Sequence, residues 1–134
     1  MPSAFDRRVA IASDFIISIG NFDFDRVASH LAADAVMLAP FVDEMPPAEG
    51  ASVVVERLRS TVPVMFERMN FVFDRWYDVN GTDTVIGEYH SDSPLKGREG
   101  RYQNSYISVF EFDSDKIVLF KEYFNPVRMS VLFT

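Results

Sequence analysis

Residues 70–91 read Asn70-Phe71-Val72-Phe73-Asp74-Arg75-Trp76-Tyr77-Asp78-Val79-Asn80-Gly81-Thr82-Asp83-Thr84-Val85-Ile86-Gly87-Glu88-Tyr89-His90-Ser91. From Asn70 onward the apolar residues recur with a period of two, the mark of a half-buried strand. Asn80-Gly81 is the strongest short hairpin signal in the chain, because both central residues of a type I′ turn need positive φ. It predicts a strand over about 70–79 joined to one over about 83–91. Counting outward from the turn puts Val85, Gly87 and Tyr89 on the inner face and Glu88 and His90 on the outer one. A bulge would exchange the faces downstream of it.

Downstream, Asp92 to Gly100 is a polar stretch with Pro94, Gly97 and Gly100, and reads as a loop. A long strand over about 101–112 reaches a turn at Asp113-Ser114-Asp115. A last strand runs from Lys116 to about Asn125, where Pro126 ends it. Upstream, Ser3 and Asp6 form a capping-box pattern ahead of an apolar stripe at Phe5, Val9, Ala12, Phe15, Ile16 and Ile19. Gly20-Asn21 ends that helix, since both residues tolerate the left-handed conformation. A second helix is predicted from Asp23 to near Asp34, then a short strand over 35–39 closed by Pro40. Residues 41–50 read as a loop. A third helix carries Val54, Leu58, Val62, Met65 and Phe66 on one face, with Pro63 expected to kink it or split off its last turn. Three helices and a four-strand antiparallel meander, with one early strand, make an α+β layout in one domain over 1–134.

The 134 residues carry 13 basic and 20 acidic side chains, a net charge of −7, which argues against a phosphate-backbone binder. Nucleic acid is therefore not an expected partner. There is no Cys, so disulfides, thiolate metal sites and a cysteine nucleophile are excluded together. His30 and His90 stand too far apart to form a spaced metal motif, and no metal is assigned. No apolar run is long enough to span a membrane, and no apolar segment follows Arg7-Arg8 as a secretory signal requires. A cytoplasmic protein without membrane contact is the expectation. Thirteen Phe, five Tyr and one Trp point to a large aromatic core or an apolar cavity.

The order of these elements, with Asp34-Ala35 and Pro40 around the first strand, resembles the nuclear transport factor 2-like superfamily, which includes the SnoaL-like polyketide cyclases and the ketosteroid isomerases. The most specific part is Tyr102-Gln103-Asn104-Ser105-Tyr106-Ile107-Ser108-Val109-Phe110-Glu111-Phe112, then Lys116-Ile117, then Lys121-Glu122-Tyr123-Phe124-Asn125-Pro126. This ending is similar to the phenazine-biosynthesis A/B type. The resemblance implies a cone: a strongly bent antiparallel sheet wrapped around three N-terminal helices, with an apolar cavity at its open end. It also implies a homodimer formed through the outer face of the sheet.

Carried over residue by residue, the isomerase apparatus is missing. Its oxyanion tyrosine falls at Phe15, its general base at Ala39, and its oxyanion aspartic acid at Ser108. Phe15 and Ala39 can neither donate a hydrogen bond nor take a proton. The phenazine-type resemblance instead puts an acid/base on the last strand, at Glu122. Alternation gives Phe120, Glu122 and Phe124 one face, and a carboxylate between two phenylalanines is desolvated, which raises its pKa toward neutrality. The simpler reading makes Glu122 part of a structural hydrogen-bond network or of a pair with an arginine.

Asn104, Tyr106 and Ser108 share one strand face. They either orient a carbonyl or hydroxyl of a bound molecule or only bond across strands. Trp76 alternates with Asp74 and Asp78, as a cavity wall or a dimer patch. Glu88 and His90 form a plausible proton relay only if their face turns inward, which would make His90 a second catalytic candidate. His30 reads as a helix-surface or packing residue.

The expected function is binding of a small, largely apolar ring-containing molecule, lined by Phe15, Ala39, Trp76, Phe120 and Phe124. An isomerisation, cyclisation or dehydration would then use Glu122 as proton shuttle, and such proton transfers need no cofactor. Epoxide hydrolysis would need an inward Asp-Arg-Asp set that these strands do not supply. The rival is a non-catalytic ligand-binding or protein-interaction domain whose cone is filled by its own phenylalanines.

Overall fold

The structure, a computed structural model, describes residues 2–133. Its helices are α1 (Ala4–Gly20), α2 (Phe24–Ser29) and α3 (Ala51–Met65). Its strands are β1 (Leu31–Leu38), β2 (Ala48–Glu49), β3 (Phe71–Asp78), β4 (Thr84–Pro94), β5 (Arg101–Asp113) and β6 (Lys116–Phe124), and a 3₁₀ helix follows at Pro126–Phe133. The strands form one curved, unclosed sheet in the order β2-β1-β6-β5-β4-β3.

The meander β3–β6 is antiparallel throughout, as the hairpin signals predict. The sheet as a whole is not. β1 runs parallel to β6, pairing Leu31 with Ile117 and Leu38 with Lys121, so the sheet is mixed. This pairing also corrects the second helix, which stops at Ser29 rather than near Asp34. Leu31-Ala32-Ala33 favours a helix locally, but here tertiary pairing overrides propensity. The Ile117 N–H bonds to the His30 carbonyl at 2.8 Å and draws the chain into the sheet just after α2.

Smaller differences have local causes. α1 has the expected capping box, with the Asp6 N–H bonded to Ser3 Oγ at 3.0 Å. Its exit uses Phe22, at φ 61, as the left-handed residue, while Asn21 stays right-handed. Gly20 is needed for another reason: a Cβ there would lie 2.3 Å from the Met69 carbonyl oxygen. At the Asn80-Gly81 hairpin only Gly81 has positive φ, and the Thr82 N–H closes the turn onto the Val79 carbonyl. That is the signature of a type II turn rather than I′. The stretch 41–50 contains the short strand β2, and β4 runs on to Pro94, three residues into the expected loop. α3 continues as one helix to Met65 with Pro63 in its last turn.

The core lies between the concave face of the sheet and the helices. Ala12, Phe15, Ile16 and Ile19 of α1 and Val54 and Val62 of α3 meet Val85, Phe110, Ile117 and Phe120. Its deepest part is aromatic. Phe15 stands edge-on to Phe120 (centroids 5.2 Å apart) and to Phe110 (6.4 Å), while Phe110 and Phe120 stack at 5.3 Å.

Candidate functional site

The inner face of the meander is built by strict alternation. β5 points Tyr102, Asn104, Tyr106, Ser108, Phe110 and Phe112 inward, and every one of them is buried. β4 contributes Val85, Tyr89, Ser91 and Ser93, and β6 contributes Phe120, Glu122 and Phe124. Register decides which of these meet. Ser108 pairs with Gly87 on one side and with Glu122 on the other, and Tyr89 pairs with Tyr106. The Tyr89 ring stacks on Tyr106 and reaches across β5 toward β6, while the Trp76 ring takes the space over Gly87.

A short polar chain results. The Tyr89 hydroxyl donates to Glu122 Oε2 at 2.8 Å and lies 2.7 Å from Ser108 Oγ. Tyr89 has one proton, so when it serves the carboxylate the Ser108 hydroxyl must donate to Tyr89. Burial raises the Glu122 pKa from 4.5 to about 7, and the Tyr89 hydrogen bond pulls it down only in part. Burial also pushes Tyr89 and Tyr106 well above the usual phenol value, so both remain neutral donors. Among the described residues no enclosed side-chain polar atom lacks a partner, and the only bond to Glu122 is through Oε2. Oε1 is therefore not sealed in the protein.

The other polar residues of this face are engaged with each other. Tyr106 Oη bonds to Ser91 Oγ at 2.7 Å. The Asn104 amide donates to Tyr102 Oη (2.7 Å) and to the Asn125 carbonyl (2.9 Å), and its oxygen accepts the Asn125 and Ser105 N–H groups. Asn104 thus holds the turn from β6 into Pro126, which is a structural task. Tyr106 stacks on Tyr89 at 4.9 Å, with Phe71 edge-on to both.

Of the residues expected to line a pocket, Phe15 and Phe120 lie in the aromatic floor, and Phe124 lies above it against Tyr106. Ala39 lies just past β1, partly buried beside the core, with its carbonyl bonded to the Val42 N–H. Trp76 faces inward. The β3 bulge between Phe73 and Arg75 breaks the alternation with Asp74, so Trp76 packs on Phe73 and Phe110 and lies over Gly87. That bulge is on β3, so the inward count along β4 is undisturbed. His90 remains on the outer face, its Nδ1 2.8 Å from Asp74 Oδ2, and Glu88 there accepts from Tyr77 Oη at 2.7 Å. The structure therefore separates His90 from Glu122 by the thickness of the sheet. His30 caps α2, and its Nε2 lies 2.6 Å from Asp14 Oδ2.

Tyr89 is the functional candidate that the sequence reading placed inward but did not select. The signal was present: an inward tyrosine two positions beyond a glycine, on the strand facing Ser108. A groove of about 710 Å³ lies mostly on the outer face, with Phe41, Asp74, Glu88, Ser105, Ile107 and Tyr123 among its walls. The inner and outer faces are thus chemically distinct, one aromatic with a single enclosed carboxylate, the other mixed and charged.

A curved, unclosed sheet closed on its concave side by N-terminal helices defines the nuclear transport factor 2-like class of α+β proteins. Within it, the chain belongs to the SnoaL-like domain family, which it matches over residues 13–120. It is 30% identical over 60 residues to an uncharacterised PhzA/B-like protein of Pseudomonas aeruginosa, a match covering 45% of this chain and 43% of that relative. The chain thus matches less than half of that relative's length. A crystal structure of a Bacillus subtilis protein provisionally termed an isomerase superposes with a TM-score of 0.89 at 22% identity, over 98% of this chain and 96% of that one. A Mycobacterium tuberculosis LEH-like epoxide hydrolase superposes at 0.75 with 21% identity, over 94% and 88% of the two chains. At these identities the structural likenesses establish the fold. Among the described inward strand positions that are buried or half-buried, Glu122 is the single carboxylate and there is no Arg, Lys or His, while Asp78, opposite Val85, shares the face at its exposed rim.

Proposed function

We propose that this SnoaL-like domain binds a small, largely apolar ring-containing molecule inside its cone and moves a proton on it, in an isomerisation, cyclisation or dehydration. The observation that carries this reading is Glu122: a carboxyl that burial brings to a pKa of about 7, held at one oxygen by Tyr89 and not sealed at the other. A group that is half protonated near neutrality serves as base in one step and as acid in the next. Tyr89 and Ser108 would steady the carboxylate while Tyr106, Phe71 and Phe124 supply apolar walls. Such proton transfer requires no cofactor.

A second reading, a non-catalytic binding or interaction domain, has its own support. Phe15, Phe110 and Phe120 fill the bottom of the cone with the protein's own rings. Homodimerisation is part of the proposal as well. Phe41, Val72 and Ile107 are exposed at 62%, 55% and 46%, and Ile107 and Val72 lie on the outer sheet face. Light scattering showing a monomer at micromolar concentration would remove the dimer.

The test of the main reading is a thermal-shift screen of ring-containing carbonyls and phenols, with wild type and Glu122→Gln side by side between about pH 5 and pH 8. A compound whose effect changes with the substitution or with pH places Glu122 in contact with ligand, and turnover is then assayed on that compound class. Equal stabilisation of both proteins at every pH would leave a pocket without a proton shuttle, which is the second reading.

A further inference from the structure

The interior offers a ligand very little polar chemistry. Tyr89 and Ser108 bond to each other, Tyr106 bonds to Ser91, and Asn104 is fully used by Tyr102 and the backbone. Glu122 Oε1 alone stays outside this pairing. The titratable groups that face Glu122 are the neutral phenols Tyr89, Tyr102 and Tyr106 from β4 and β5, and the neighbouring strand β1 pairs Met37 with Phe120 and Leu38 with Lys121. The core-facing side chains of α1 and α3, among them Phe15, Ile16, Val54 and Val62, carry no charge, and Ser18 is the one buried polar side chain on them.

Cations are held elsewhere. Arg8 bonds to Asp83, Arg26 to Asp14, and Arg101 to Asp92. Arg75 and Lys121 lie over Tyr77 and Tyr123 on the outer face. No described Lys or Arg is buried. An anion brought into this interior would meet a carboxylate in a low-dielectric setting with nothing of opposite sign to offset the repulsion.

We infer that the cone selects an uncharged ring compound carrying a single polar group addressed to Glu122, and excludes carboxylates and phosphates of the same shape. This rests on the ligand-binding reading above and narrows it. A neutral phenol or alcohol donates to the ionised carboxylate, and a neutral ketone accepts from the protonated one. An anion enters only if Glu122 takes up a proton at the same time.

Isothermal titration of the wild-type protein with 2-naphthol, 2-acetonaphthone and 2-naphthoate, and with the matching one-ring compounds, tests this. At about pH 8 the carboxylates are expected to bind at least about tenfold more weakly than the phenols, the factor for protonating a group whose pKa is about 7. Their residual affinity should fall about tenfold per pH unit above the Glu122 midpoint, with one proton taken up on binding. Glu122→Gln should remove that pH dependence and close the gap between carboxylates and phenols, since the buried charge that separates them is gone. Carboxylates that bind wild type as tightly as the phenols overturn the inference and leave the ligand-binding reading intact. If no compound of either ring size binds, the ligand-binding reading itself falls, and this inference falls with it.

Discussion

Tyr89 and Glu122 lie 33 residues apart in the chain, on strands separated by β5, yet their side chains meet at 2.8 Å across Ser108. The contact crosses three strands, so it depends on the registers of two hairpins at once. It is also the one place where the aromatic interior holds an ionisable carboxyl.

The pH dependence of stability should carry the mark of that carboxyl. Its folded pKa, about 7, lies above the unfolded 4.5. Between these values the native state keeps a proton that the unfolded chain has released. Stability is therefore highest below the unfolded pKa and declines as pH rises toward 7, by about 3 kcal/mol for this group alone. Glu122→Gln should lose this slope, so that denaturant titrations at acid and neutral pH show wild type declining more than the variant.

Tyr89→Phe removes the hydrogen bond that favours the ionised carboxyl, so the Glu122 pKa should move above 7. A carbon-13 titration of the Glu122 carboxyl reads this directly. The variant also leaves Ser108 without its partner, at a cost of about 1–3 kcal/mol.

Gly87→Ala would bring a Cβ to within 2.6 Å of the Trp76 ring. The ring is walled by Phe73 and Phe110, so it cannot simply turn aside. The expected loss is about 1–3 kcal/mol, with a change in tryptophan fluorescence, which Trp76 alone supplies.

Asn104→Ala should act on the end of β6 rather than on binding. It removes two bonds to Asn125, so hydrogen exchange at the Asn125 amide should accelerate together with a stability loss of about 1–3 kcal/mol. Loss of ligand binding without faster exchange at Asn125 would instead show Asn104 to be a ligand contact.

The meander was legible because its signals are local. Period-two alternation and turn residues position Tyr89 inward and group Ser108 with Asn104 and Tyr106, and Glu122 with Phe120 and Phe124, while the family resemblance says that the Ser108 and Glu122 faces are the inner ones. The parallel pairing of β1 with β6 has no local signal, since Leu31-Ala32-Ala33 reads as helix until Ile117 is beside it. Trp76 was ambiguous for a related reason. A bulge exchanges faces without changing composition, and nothing in Phe73-Asp74-Arg75 announces it. Tyr89 was assigned to the correct face, but its bond to Glu122 follows from the register of β5 against both neighbours, which alternation alone does not supply.

The parallel ladder also orders events in time. During synthesis β1 emerges early, and until β6 has been made its only sheet neighbour is the two-residue β2. The segment that will join the N-terminal half to the meander must therefore wait, one edge unpaired, for most of the remaining chain to be translated. Non-local closure of this kind slows folding and exposes intermediates to association. A ribosome pausing before Lys116 would hold out a nascent chain with α1, α2 and α3 complete and no finished barrier between its apolar interior and the surrounding water.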